Sequence, residues 1–524
     1  MGESDILTLS YAIDFGTSNT VITRWDSVNN QPEVIALPEL SFNSENNPPL
    51  IPSLLYIDDA QQQKLFLGQQ VKDRGLDLSG SPRYFSGFKR GIGASIQGFL
   101  PEIDGQTLTF EQIGSWYIES ILSHLEIPQS LVLTVPVDSF ESYRHWLSRA
   151  CEGWSVEQVR MIDEPTAAAL GYGAIASEII LVIDFGGGTF DISLVKLDPN
   201  LVPEGFILKW GSQLPGQNPK QKAKIAKVLA KAGKNLGGMD IDSWLVDYFS
   251  KKQQLPSSSV LTRLCERLKI KLSTALTATE VDQENCLELD RSTFEAILTE
   301  KQFFPQLDAL MTQVLQQGRR NGVEIENIEA VLLVGGMVQI PAVQNWIKEY
   351  FPSEKIYCDR PYEAIALGAL QLTQGIELQD FLYHSYGIRY WDHQKQGHAW
   401  HTLIHSGQSY PMDQPIELIL GASWKNQPGI ELVIGELGTP NQDTEVYFQG
   451  DRLITHSLTP VETPVQLLNL EAKTIAQLDP PGTPGRDRLK VKFWVDEQRF
   501  LRITVEDLRT EAVLLSNQMV MELR

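Results

Sequence analysis

Two short stretches combine an aspartate with glycines and a threonine. Ala12-Ile13-Asp14-Phe15-Gly16-Thr17-Ser18-Asn19 is echoed by Val182-Ile183-Asp184-Phe185-Gly186-Gly187-Gly188-Thr189, with Asp191 two residues further on. Glycine lets backbone N–H groups turn inward and come close to an anion, so such a turn can cradle phosphate oxygens. Thr17 and Thr189 can add hydroxyl donors. Asp14, Asp184 and Asp191 offer the hard carboxylate oxygens that Mg²⁺ prefers, directly or through its waters. One such turn is an ordinary glycine hairpin. Two facing each other would enclose a polyphosphate and its cation.

Each copy is an apolar run, a Gly/Thr turn and a second alternating run, Val21 to Arg24 in one and Asp191 to Val195 in the other. That pattern predicts strand, tight turn, strand. A Rossmann or P-loop site would lead from its glycines into a helix, and neither G-x-G-x-x-G nor G-x-x-x-x-G-K-[ST] occurs at these turns. A duplicated, two-lobed α/β fold is the architecture that fits. Leu261, Leu264, Leu268, Leu272 and Ala275 predict one amphipathic helix within it, with Glu266, Lys269 and Ser273 on the face opposite the apolar stripe. Strands and helices alternate over residues 1–375, and 376–384 read as a linker. Residues 385–524 turn to short alternating runs such as Leu489-Lys490-Val491-Lys492-Phe493, which predict a compact β-domain.

The bulk composition agrees with a globular chain of several cores: 524 residues, 42% hydrophobic and 21% charged. A net charge of −22 argues against general binding to nucleic acid or anionic membrane. Cys151, Cys265, Cys286 and Cys358 are scattered, without C-x-x-C spacing, and read as reduced structural thiols. No apolar run reaches membrane-spanning length and Met1 to Ser10 has no signal-peptide pattern, so a cytoplasmic location is expected.

With both turns in place, the chain resembles the superfamily of actin, hexokinase and heat-shock chaperones. Met161-Ile162-Asp163-Glu164-Pro165-Thr166-Ala167-Ala168-Ala169-Leu170-Gly171-Tyr172-Gly173 is similar to the connecting segment of the 70-kilodalton heat-shock (DnaK-type) chaperones. Phe88-Lys89-Arg90, Leu236-Gly237-Gly238-Met239-Asp240-Ile241-Asp242 and Leu333-Val334-Gly335-Gly336-Met337-Val338-Gln339-Ile340-Pro341 resemble further motifs of that family.

The resemblance implies an actin-like, two-lobed ATPase domain with duplicated ribonuclease-H-like cores, followed by a β-sandwich-like substrate-binding domain. It also implies ATP or ADP with Mg²⁺ as cofactors and allows K⁺ as a further cation. Lys89 would contact the γ-phosphate, Glu164 would act through the Mg²⁺ shell, and Asp14, Asp184 and Thr189 would complete the catalytic set. Gly16, Thr17, Ser18, Asn19, Gly186, Gly187, Gly188, Gly237 and Gly238 would hold phosphate, while Glu266, Lys269, Ser273, Gly335, Gly336 and Gln339 would meet the nucleoside. The family's two adenine-sandwiching arginines are replaced by Ile270 and Gln339, so weaker nucleotide binding is expected.

Pro136 and Arg144 match the pair that relays nucleotide state, and Arg160 and Asp380 fall where a J-domain co-chaperone docks. A nucleotide exchange factor and an extended client peptide are the other partners implied, with Trp391 and Ile430 near the peptide groove or in the core. The chain stops at Arg524, where the family would begin its helical lid, so a lidless form is expected. A nucleotide-switched scaffold is the rival reading. A sugar or acid kinase is disfavoured by the Glu164 segment and the β-domain. Outside the family pattern, Lys220, Lys224, Lys227, Lys231 and Lys234 alternate by four and three. As a helix they would form one basic face, for an acidic partner or merely for solvent.

Overall fold

The computed structural model describes residues 9–523 apart from 27–30, 45–46, 95, 99, 137–139, 174–178, 199–205, 210–224, 283–284, 374–380, 383–384, 393–396, 406–407, 413, 438–443, 450–451, 458–464, 469–472 and 497–498. Lys220, Lys224, Asp380 and most of the expected linker therefore lie outside the described residues. The chain forms two units, one of Met1–Leu378 with Thr444–His456, the other of Gln379–Asp443 with Ser457–Arg524.

In the first unit the two Asp/Gly/Thr stretches each build the same device. Ser10–Phe15 and Asn19–Asp26 form an antiparallel hairpin, and Ser130–Val135 lies parallel to its first strand. Ile179–Phe185 and Phe190–Asp198 form the second hairpin, and Ala330–Val334 lies parallel to its first strand. Strands covered on both faces read as continuous apolar runs, and Ser130–Val135 and Ala330–Val334 are buried at every position. The first sheet runs on to Gln158–Asp163, and the second to Ile225–Lys234 and Ile356–Tyr357.

Between the two sheets pack the helices Glu164–Gly171 and Ala364–Gln371. One shared core takes Ala12 and Val132 from the first sheet, Ile180, Val182 and Leu332 from the second, and Ala168 and Ala369 from the helices. Small residues let the two helix backbones nearly touch. A Cβ on Gly171 would sit 1.8 Å from the Ala364 carbonyl oxygen, and one on Gly368 1.8 Å from that of Ala167.

Local sequence explains the helix ends. Asp163 caps the Glu164 helix by accepting from the Thr166 N–H at 2.8 Å, with Pro165 in the first turn. Ser258 caps Ser259–Leu272, accepting from Leu261 N–H at 3.2 Å. Leu261, Leu264, Leu268 and Leu272 of that helix are buried, as expected. Ala275 falls beyond its end and is exposed, because the chain turns into the hairpin Thr277–Val281/Cys286–Asp290.

One expectation fails here. The lysine-rich stretch is no helix where described: Ile225–Lys234 is a strand, paired antiparallel with Phe190–Asp198 from Asp198↔Ile225 to Phe190↔Lys234. Sheet pairing overrides the helical spacing. Lys231 pairs with Ser193 and Lys234 with Phe190, an odd number of positions apart along the strand, so these two lysines take opposite faces and the single basic face is not formed. Lys269, on the face of its helix opposite the apolar stripe, is buried, its amine paired with Asp242.

Among the described residues, the second unit is built of strands. Strands Ile416–Gly421, Asp487–Val495, Phe500–Asp507 and Ala512–Glu522 form one antiparallel sheet, and Ser385–Asp392 centres another. The alternation is as expected, with Leu489, Val491, Phe493, Leu501, Ile503 and Val505 buried together with Tyr386 and Ile434. No helix among the described residues is long and apolar enough to cross a membrane.

Candidate functional site

The two hairpin turns meet. A Cβ on Gly187 would lie 1.8 Å from Ser18 Oγ, and one on Gly188 2.6 Å from Thr17 Oγ1. Only residues without side chains permit that approach. The first turn is pinned by Ser53, whose hydroxyl donates to the Gly16 carbonyl at 2.7 Å. The second is closed by the Gly186 N–H donating to the Thr189 carbonyl at 3.1 Å.

Two more glycine turns abut the second one. Gly238 and Met239 N–H groups donate to the carbonyls of Gly186 and Gly187 at 3.2 and 2.9 Å. Gly335, at φ 87°, passes so close to Phe185 that a Cβ would sit 2.3 Å from its carbonyl oxygen. Gly16, Gly186–Gly188, Gly237–Gly238 and Gly335 thus belong to one cluster of backbone turns, drawn from four parts of the chain.

Charged groups gather beside it. Lys89 follows Gly87, at φ 64°, on a single 3₁₀ turn. Its Nζ donates to Glu164 Oε1 at 2.7 Å, and both side chains are buried. Tyr143 holds the turn by donating to the Lys89 carbonyl at 3.0 Å. Burial alone would lower the Lys89 pKa, but Glu164, with Tyr143 and Asp14, outweighs it and holds the amine above its ordinary value.

Asp14 is the penultimate residue of the first strand and accepts from Thr134 Oγ1 at 2.7 Å. Burial, then repulsion from Glu164, pushes its carboxyl up to about 6 against the pull of Lys89 and Thr134. Asp184 stands across from Asp191 in the second hairpin. Burial, then Glu164, Asp191 and Asp14, lifts Asp184 well above the usual carboxylate range. These carboxylates lie close enough to resist ionising together, which is the field a cation would relieve.

Hard oxygen donors beside a cradle that a Cβ would fill suit Mg²⁺ with phosphate. Among the described residues, no three acidic, His or Cys side chains converge on one point as a ready-made cage.

The nucleoside end is less assembled. Lys269 Nζ donates to Asp242 Oδ2 at 2.7 Å and to the Gly238 carbonyl at 3.0 Å. Ser273 Oγ turns back to its own helix, donating to the Lys269 carbonyl at 3.4 Å. Glu266 and Gln339 are half-buried, and Ile270 is 59% exposed. Tyr362, which no sequence pattern singled out, has a ring carbon 3.2 Å from where a Gly336 Cβ would stand.

Sequence reasoning also passed over Arg90 as a site residue. Its Nε donates to the Gly188 carbonyl at 2.8 Å and its Nη2 to Asp240 Oδ2 at 2.6 Å, tying the Lys89 segment to two glycine turns. The signal was its place directly after Lys89. Of the relay and docking residues, Arg144 is buried, Pro136 is half-buried, and the Arg160 guanidinium donates to the Leu372 carbonyl. In the second unit Ile430 is core, and Trp391 is exposed with its ring against His398. The four cysteines are free thiols.

A family model described as Hsp70 protein matches residues 102–202 and 223–405, more than half of the chain.

Proposed function

The chain belongs to the Hsp70 family, and from that premise we propose an ATP-dependent molecular chaperone that hydrolyses ATP in the first unit to control client-peptide binding in the second. Family membership gives the first unit its coarse identity, an actin-like, two-lobed ATP-binding domain. The observation that carries the finer reading is the contact of the two Gly/Thr turns beside the buried Lys89–Glu164 pair.

The backbone N–H groups of the turns, with Thr17 and Thr189, bind the phosphates. Asp14, Asp184 and Asp191 would hold Mg²⁺, which when bound supplies neutralising charge to phosphate oxygens. Lys89, its amine fixed by Glu164, stabilises the charge on the transferring phosphoryl group. Positioning and fixed charge are what phosphoryl transfer requires. Glu266, Lys269, Ser273, Gly335, Gly336 and Gln339 form the nucleoside end. Base binding there is weak, because no arginine occupies positions 270 and 339.

The second unit takes extended peptide at its β-sheets, and a J-domain protein and a nucleotide exchange factor are the co-chaperones. The working location is the cytoplasm. ATP turnover with and without an unstructured peptide and a J-domain protein tests this. Stimulation by either supports the chaperone reading, and indifference to both replaces it with a nucleotide-switched scaffold.

A further inference from the structure

Lys231 belongs to the stretch expected to be a solvent-facing helix, and its actual place is the inside of the candidate site. The register settles which way it faces. Val182 pairs with Ser193 and Ser193 with Lys231, while Asp184 pairs with Asp191 and Asp191 with Gly233. Directly paired residues share a face of a sheet, and diagonal neighbours stay within reach of long side chains. Asp184, Asp191, Ser193 and Lys231 therefore stand on one face, with Gly233 leaving room beside Asp191.

A cavity of about 10 Å³, the space of a single water, lies over that face, lined by Lys231, Glu164, Asp184, Asp191 and Ser193. The strand carrying the lysine is fixed from behind, because the Lys231 N–H donates to Gln317 Oε1 at 3.0 Å. The other ammonium near these carboxylates, Lys89, is already engaged by Glu164.

We propose that Lys231 is a positioning residue of the nucleotide site. Its ammonium offsets the negative charge of Asp184 and Asp191 from the sheet side, and so restrains divalent-cation binding until a nucleotide brings its own phosphates. The proposal rests on the nucleotide-site reading above and adds to it a second fixed cation, built into the sheet. Lys231 is the diagonal neighbour of Asp191, a separation of about 7–8 Å, and a unit charge at that range changes the affinity for a divalent ion severalfold even in water-like surroundings.

The test uses the full chain with Mn²⁺ as a paramagnetic probe, titrated without nucleotide and followed by electron paramagnetic resonance. Lys231→Met should bind Mn²⁺ at least about threefold more tightly than the parent, and Lys231→Gln, a second neutral variant, should do the same. Lys231→Arg, which keeps the charge, should stay close to the parent. MgATP turnover is measured alongside and should fall in both neutral variants. Equal Mn²⁺ binding by parent and neutral variants, including none by any of them, overturns the proposal. Tighter Mn²⁺ binding by the neutral variants of a parent that turns over no ATP would sustain Lys231's role while removing the hydrolase reading.

Discussion

Lys269→Met deletes a buried ammonium and keeps its aliphatic stem. The amine donates to Asp242 at 2.7 Å and to the Gly238 carbonyl at 3.0 Å, and Asp242 is 6% exposed. In the parent, burial lifts the Asp242 carboxyl to about 7 against the pull of Lys269. A carboxyl raised this way holds its proton in the folded state, so its stabilising contribution is complete below the unfolded value near 4 and is lost as pH rises through the folded one. Removing Lys269 lifts the folded value further and extends that loss beyond pH 7.

At pH 8, one unit above the parent's folded value, keeping Asp242 protonated in the variant adds about 1.4 kcal/mol to the lost hydrogen bonds, for a cost of about 3 kcal/mol. At pH 5 Asp242 is protonated in both proteins, and only lost hydrogen bonds remain, about 1–2 kcal/mol. With an unfolding entropy of about 2.1 cal/mol/K per residue over the roughly 390 residues of the first unit, those costs correspond to a Tm fall of about 4 °C at pH 8 and about 2 °C at pH 5. Calorimetry without nucleotide reads both. Adding Asp242→Leu should recover most of the loss at pH 8, since an apolar pair replaces a buried acid left without its partner. Equal Tm falls at the two pH values, or a larger fall at pH 5, would refute the reasoning.

Other perturbations probe the two ends of the site. Ile270→Arg with Gln339→Arg should tighten ATP binding by at least about fivefold, as stacked cations contribute about 0.5–2 kcal/mol each; calorimetric affinity equal to or below the parent's would mean that other side chains already enclose the base. Gly188→Ala puts a methyl 2.6 Å from Thr17 Oγ1 and must spread the two turns. Nucleotide affinity should drop at least about tenfold, and an unchanged Kd by fluorescence titration would show that the turns do not need to touch.

The sequence carried the site better than it carried the surroundings. Asp14, Gly16 and Thr17, with their echo at Asp184, Gly186 and Thr189, were legible because a tight turn needs particular residues at particular positions. The leucines of Ser259–Leu272 and the alternation of Asp487–Val495 were legible because burial follows the local period. What local pattern cannot show is the distant partner. The lysine spacing from 227 to 234 fits a helix, and only the neighbouring strand Phe190–Asp198 makes it β. Lys269 sits on a polar-looking face, and only Asp242, a residue of another helix, explains its burial. The segment Thr444–Gln449 pairs with Ile96–Gly98 in the first unit, a contact across most of the chain that no window of sequence contains.

Single-turnover hydrolysis of ATP with excess purified protein in Mg²⁺ tests the central claim most directly, comparing the parent with Lys89→Ala and Asp184→Asn. Both variants remove a charge from phosphoryl transfer. The account predicts a folded protein in each case and a rate at least about tenfold below the parent's. A parent that leaves ATP intact, or folded variants that hydrolyse it at the parent's rate, would contradict it.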